Sequence, residues 1–342
     1  MNLESVTSSA PARIDLAGGT LDLWPLHVLH PGSCTVNVAI DRRAGCRVSR
    51  GSAGFLARSR DLGLEKRAAG APDLLGDPQT ALLGSLLEAL QIAQPLEIEF
   101  WSEVPFGSGL GGSSALTVAL LGALERWSPR ELGDVDRVDF VRDVETRVLG
   151  KPAGVQDYYP PLAGGAHTIA FLPGQTVAHR IAVDAERWDR HLTLFDSGVS
   201  HSSGMNNWEV LRRRLEGEAA VAQNLEGVRR AAELLSRALL SGDFAAMGGA
   251  LAQEWEARRR LAPVVSTPVI DRAIEAALGA GAWGGKACGA GGGGCVVILS
   301  PEGRTAAVRR ALGGLGVGSV TPVRVVDEGL QVRGSAPGAS SP

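Results

Sequence analysis

Residues 103–121 read EVPFGSGLGGSSALTVALL. The segment leaves an apolar, strand-like run carrying Leu96, Ile98 and Phe100. It passes through Pro105, Gly107, Ser108, Gly109, Leu110, Gly111 and Gly112, and enters a helix-forming pattern from Ala115. Four glycines within six residues leave backbone N–H groups unshielded, and a helix N-terminus adds the positive end of its dipole, so a polyphosphate is the guest this loop suits. Ser113 and Ser114 bring hydroxyls to the helix start, where they can cap it or ligate a phosphate-bound Mg²⁺. Two common nucleotide motifs do not fit. A P-loop needs Gly-Lys-Ser/Thr at its end, and the dinucleotide fingerprint needs an acidic residue about 20 residues on in a βαβ unit. Here there is no lysine in the loop, and the helix runs into SPRELGD.

The chain has 342 residues, which predicts two domains. The boundary is expected in the segment DAERWDRH, giving a first domain over 1–187, a second over 188–334 and a disordered Gly/Ala/Ser/Pro-rich tail over 335–342. The formal net charge is −3 with no basic half, which argues against nucleic acid as a partner and makes any anion site local. Glycine is in excess, 45 residues, and clusters near Gly18, Gly107–Gly112, Gly164 and Gly284–Gly294, marking several separate close approaches of backbone. The four cysteines have no metal-binding spacing and read as reduced, buried thiols. The chain shows neither an apolar signal-peptide core nor a run approaching about 18 apolar residues; a cytoplasmic, non-membrane monomer or homodimer is expected.

The strand patterns over 6–18, Cys34–Arg42 and Ala44–Arg50 come early. Residues 61–78 read as a polar surface loop, followed by helices over Thr80–Ile92, after the glycine loop to Trp127, and over Val135–Leu149. Pro152, Pro160 and Pro161 keep residues 151–165 from forming a long element. A hairpin, AHTIAFL and TVAHRIAV, closes the first half. The second half opens with HLTLFDSG and continues with helices over Trp208–Leu240, Phe244–Leu261 and Val269–Ala280. A glycine loop feeding a buried strand (KACGAGGGGCVVILS), a helix over Arg304–Leu312 and a last strand over Pro322–Val326 follow. The arginines at 212–214 and 258–260 are expected on solvated helix faces.

Three separated glycine-rich stretches carry a family resemblance. PARIDLAGGTLDL (Pro11–Leu23), PFGSGLGGSSA (Pro105–Ala115) and KACGAGGGGCVVIL (Lys286–Leu299) resemble, in order and spacing, the three signatures of the GHMP kinases, and most closely the galactokinase and heptose-phosphate kinase branch. The resemblance covers about residues 10–300. It implies an α+β, two-domain fold: a ribosomal S5 domain 2-like N-terminal domain, a ferredoxin-like C-terminal domain and a site between them. It implies ATP and Mg²⁺ as well. Phosphoryl transfer needs a phosphate cradle, a divalent metal, a cation and a group facing the acceptor hydroxyl. The resemblance gives the cradle to Pro105, Gly107–Ser114, Gly291 and Gly292, and the metal to Ser114 and Glu145. It makes Asp157, in GVQDYY, the base, with Arg13 beside it to stabilise the transferring group.

The first signature is expected to set acceptor specificity through Gly19, Thr20 and Asp22, because a carboxylate can accept two vicinal hydroxyls. FDSGVSHSSGMNNWEVLRRR (Phe195–Arg214) resembles a galactokinase stretch and places His201 near the substrate, with Gly289 also expected there. The doubled Gly111-Gly112 leaves open whether Ser113 or Ser114 holds the metal. Leu23-Trp24-Pro25 follows Asp22, which departs from the galactokinase pattern. The implied activity is an ATP-dependent kinase acting on a sugar or sugar phosphate. The alternatives are a mevalonate, phosphomevalonate or homoserine kinase, and a catalytically silent sugar and ATP sensor.

Overall fold

The computed structural model describes residues 4–130, 132, 136–199 and 203–335. Its strands, in chain order, are β1 (Ser5–Ala17), β2 (Cys34–Arg50), β3 (Phe55–Ser59), β4 (Leu64–Ala68), β5 (Leu96–Ser102), β6 (Ala166–Leu172), β7 (Gln175–Ile181), β8 (Leu192–Asp196), β9 (Gly284–Ala287), β10 (Cys295–Leu299), β11 (Ser319–Thr321) and β12 (Gln331–Ser335). The helices are α1 (Leu26–Leu29), α2 (Ala71–Leu75), α3 (Ala81–Ala89), α4 (Gly112–Leu124), α5 (Arg137–Leu149), α6 (Tyr159–Ala163), α7 (Ala185–Asp189), α8 (Ser203–Leu215), α9 (Ala219–Ser241), α10 (Phe244–Arg258), α11 (Pro268–Gly279) and α12 (Glu302–Gly313).

Strand β2 is the spine of the first sheet, in the order β12-β1-β2-β5-β3-β4. One edge of β2 pairs with β1; on the other, β6 takes residues 34–38 and β5 takes residues 44–50. The break expected between Arg42 and Ala44 is absent, and one strand runs through. Its register against β1 jumps from Pro11↔Arg43 to Ala12↔Ile40, so Asp41 and Arg42 bulge from the ladder. A bulge carries the same polar residues as a turn, so in sequence the one strand looks like two. The second sheet is antiparallel, in the order β11-β8-β10-β9. Period-two alternation sandwiches it: Leu192, Leu194, Val297 and Leu299 join the core lined by α9 and α10, while Phe195, Val296 and Ile298 join the core lined by α11 and α12.

Ala12, Ile14 and Leu16 of β1 belong to the same core cluster as α9, α10, β8 and β10, so the two sheets share one continuous interior. A separate core, drawn from Val6 and Ala10 of β1, Cys46 and Val48 of β2 and Leu96, Ile98 and Phe100 of β5, packs on α3, α4 and α5. This fixes the two halves against each other at the C-terminal end of β1.

Local chemistry explains several boundaries. Asp136 caps α5 through the N–H of Val138 at 2.8 Å, and Thr267 caps α11, which starts on Pro268. The single helix expected over 208–240 is two, because Gly217 at φ +85° ends α8 and Glu218 starts α9. The loop expected over 61–78 contains β4 and α2. β4 is an edge strand whose outward Glu65 pairs with Arg58, and charge on an edge strand reads as loop. The last strand lies elsewhere than expected: Val325 forms only an isolated bridge to Ile40, and β12 pairs with β1 through Ser335. Arg258, expected on a solvated face, is buried, while Arg259 and Arg260 are exposed. Among the described residues no helix is long and apolar enough to cross a membrane.

Candidate active site

Alternation along β1 sends Ile14 into the core and turns Arg13 and Asp15 the other way. The Arg13 guanidinium grips Asp157 with a two-point contact, Nε to Oδ1 at 2.8 Å and Nη2 to Oδ2 at 2.7 Å. Its third arm donates to Gly109 O at 2.5 Å, and its backbone N–H donates to Leu110 O at 2.9 Å. One side chain therefore ties the glycine loop to Asp157. Burial would lower the Arg13 pKa, but the Asp157 carboxylate outweighs it and the net shift is upward. Asp157 sits in a 3₁₀ turn, Gln156–Tyr158, that runs into α6 with its Pro160 and Pro161. Its side chain keeps 29% of its surface, enough to meet a substrate.

The glycine loop after β5 is built on left-handed glycines: φ is +74° at Gly107, +77° at Gly109 and +72° at Gly111. A Cβ at Gly109 would stand 2.4 Å from Cys288 O, because the third glycine stretch lies directly on the second. Cys295 N–H donates to Ser108 O at 2.8 Å, sealing that contact, and Ser108 N–H closes a turn on Pro105 O. Gly289, expected near the acceptor, faces Gly109 instead. Gly291 and Gly292 pack on Val265, whose carbonyl takes the Gly292 N–H at 2.8 Å. Helix α4 starts at Gly112, three residues before the expected start. Its cap, Gly111, offers no side chain to the first-turn amides, which a helix leaves unpaired.

Ser113 is exposed and its hydroxyl donates to Glu145 Oε1 at 3.3 Å; Ser114, one residue on, is buried. The geometry thus brings Ser113, rather than Ser114, to the carboxylate. Counting from Pro105 without a gap would have pointed the same way, since Gly112 then takes the place of the first serine of the signature and Ser113 that of the second. Tyr158, for which the sequence carries no signal of a role, donates its hydroxyl to Glu145 Oε2. Burial raises the Glu145 pKa, and the Tyr158 hydrogen bond opposes this.

On the other side of Asp157 lies the loop Gly18–Asp22. Asp22 is buried and its Oδ2 accepts from Gln156 N–H at 3.2 Å. A Cβ on Gly154 would meet that oxygen at 1.9 Å, so only glycine fits there. Burial, reinforced by the nearby Asp157 charge, pushes the Asp22 carboxyl up to about 7. Gly19 leaves room for Asp15 and Gln156, and Thr20 donates to Asn207 Oδ1 of α8 at 2.8 Å. His201 lies outside the described residues.

A glycine loop at a helix start, an arginine-held aspartate and a Ser–Glu oxygen pair lie close together, and they are the kinds of group that phosphoryl transfer calls for. Two family models match the chain: GHMP kinases N terminal domain over residues 80–165, and GHMP kinases C terminal over residues 231–317, together about half of its length. The chain belongs to the GHMP kinase family and is an ATP-dependent phosphotransferase. It is 24% identical over 302 residues to the D-glycero-alpha-D-manno-heptose 7-phosphate kinase of Campylobacter jejuni, covering 85% of this chain and 88% of that one. It is 28% identical over 300 residues to the mevalonate kinase of Methanothermobacter thermautotrophicus, covering 86% and 90%. Its fold matches the crystal structure of a D-glycero-D-manno-heptose 1-phosphate kinase from Bacteriodes thetaiotaomicron with a TM-score of 0.75 at 23% identity, covering 96% of this chain and 98% of that one. The expected α+β two-domain GHMP fold is thereby borne out.

Proposed function

We propose that the chain transfers the γ-phosphoryl group of ATP to a hydroxyl of a sugar or sugar phosphate. The observation that carries this reading is the second carboxyl group beside the base: Asp22 is held on the N–H of Gln156, the residue preceding Asp157. A polyol can give two hydroxyls to Asp22 and present a third to Asp157, a division of labour that a substrate with a single hydroxyl does not need. The similarity to a heptose 7-phosphate kinase supports it. In this reading residues 1–187 supply most of the site, and residues 188–334 close it with the third glycine stretch.

The triphosphate lies along the amides of Gly107–Ser113 at the start of α4, where backbone donors and the helix dipole stabilise its charge. Asp157 orients the acceptor hydroxyl and takes its proton as the oxygen attacks in line. Each of its oxygens keeps a second lone pair beyond the Arg13 contact. Arg13 stabilises the negative charge on the group in flight. Ser113 Oγ and Glu145 are hard oxygen donors 3.3 Å apart, and the hold of Tyr158 on Glu145 leaves that carboxylate oriented, so the pair fits a magnesium ion. When bound, Mg²⁺ would neutralise charge on the β- and γ-phosphates.

Two experiments test this. In a coupled ADP-release screen, a sugar or sugar phosphate is expected to support turnover above mevalonate, phosphomevalonate and homoserine; a screen in which mevalonate alone releases ADP overturns the sugar assignment. Ser113→Ala is expected to raise the Mg²⁺ concentration for half-maximal rate by about 10-fold or more, with Ser114→Ala near wild type. The reverse ranking would move the metal to Ser114.

A further inference from the structure

The loop Gly18–Asp22 contains a backbone outlier. Thr20 is β-branched yet sits at φ +77°, a region such residues rarely enter and keep only where their surroundings impose it. Here the surroundings are four buried charged side chains, Asp15, Glu254, Arg258 and Lys286. Lys286 Nζ lies 3.0 Å from Asp15 Oδ2 and 3.4 Å from Glu254 Oε1, and donates to Asp15 O at 3.2 Å. Glu254 Oε1 accepts from Arg258 Nε at 2.7 Å and from Gly18 N–H at 3.4 Å. Arg258 then reaches the loop itself, donating from Nη2 to Gly19 O at 2.7 Å and from Nη1 to Thr20 Oγ1 at 3.3 Å.

Two anions and two cations leave this quartet neutral. Its members come from both halves: Asp15 from β1, Glu254 and Arg258 from α10, and Lys286 from β9 at the head of the third glycine stretch. Apolar side chains of similar volume would stabilise an interior at least as well as buried ion pairs. What they would not supply is a fixed set of donors aimed at Gly19 O and Thr20 Oγ1. The quartet is therefore suited to imposing one shape on the loop.

We propose that Arg258 is a positioning residue for the acceptor: it fixes Gly18–Asp22, and so aims Asp22, without touching substrate. The inference rests on the assignment of this loop to the acceptor, and not on the acceptor being a sugar. The test compares Arg258→Lys and the double variant Glu254→Gln/Arg258→Met, which keeps the interior neutral while removing both donors to the loop. Each is assayed with whichever alcohol the wild-type enzyme phosphorylates, alongside ATP binding by calorimetry. The double variant is expected to raise the acceptor KM about 10- to 100-fold with ATP affinity within about twofold, and Arg258→Lys to recover part of the loss. An unchanged acceptor KM, or acceptor and ATP affinities falling together, overturns the proposal. If the double variant does not fold, Thr20→Val severs only the hydroxyl contacts; it is expected to raise the acceptor KM several-fold, and no change there overturns the proposal equally. A wild-type enzyme that phosphorylates mevalonate and no sugar removes the sugar reading and leaves this test standing.

Discussion

Asp157→Asn is expected to lower kcat by about 10²–10⁴-fold, the range for loss of a positioned general base, while ATP binding by calorimetry survives. The separation follows from the geometry. In the proposed site Asp157 faces the acceptor, whereas the glycine loop is held through the Arg13 donors to Gly109 O and Leu110 O, contacts that do not involve the carboxylate. An asparagine keeps an oxygen for one arm of Arg13 but cannot take a proton, so the fold should persist and the chemistry should not. Turnover that stays near wild type would remove Asp157 from the mechanism and require another acceptor-facing group.

Asp22→Asn is expected to stabilise the protein at neutral pH while impairing acceptor binding. A carboxyl raised from 3.8 to about 7 on folding holds, between those pH values, a proton that the unfolded chain has released. Its contribution to stability is thus fully present below about pH 4 and is lost as pH rises to about 7. Asparagine has no charge to bury, so the variant should match wild type near pH 4 and exceed it by on the order of 4 kcal/mol at pH 8, at about 1.4 kcal/mol per unit. Chemical denaturation at the two pH values measures this. The functional cost has the opposite sense: the ionised carboxylate is the better hydroxyl acceptor, so the wild-type acceptor KM should fall as pH rises from 6 to 8. The variant should lose that dependence and show a KM about 10- to 100-fold higher, the worth of a hydrogen bond to a charged group. Equal stabilities at pH 8 would show that Asp22 is not under electrostatic strain.

The parts of the site visible in the sequence are those whose chemistry is local. Left-handed glycines at 107, 109 and 111 announce themselves because no other residue type accepts those angles cheaply, and Arg13 and Asp157 stand within short stretches of distinctive residues. What stayed hidden depends on distant partners. Arg258 and Gly19 are 239 positions apart, and Arg258 sits in a triplet whose other two members face solvent, so its charge pointed outward. Tyr158 and Glu145 are closer in sequence, but their contact depends on how a 3₁₀ turn rotates against α5, which spacing does not encode. The fold shows the same division. Buried strands such as β10 read clearly, whereas β4 was lost because an edge strand wears charge, and the bulge in β2 passed for a turn.

A crystal structure with a non-hydrolysable ATP analogue, Mg²⁺ and the acceptor decides whether a triphosphate and an acceptor hydroxyl meet between the glycine loop and Asp157. The expected result has the β- and γ-phosphates on the amides of Gly107–Ser113, the metal on Ser113 and Glu145, and an acceptor hydroxyl about 3 Å from Asp157. A nucleotide seated away from that loop, or an acceptor hydroxyl turned from Asp157, would rule out transfer at this site.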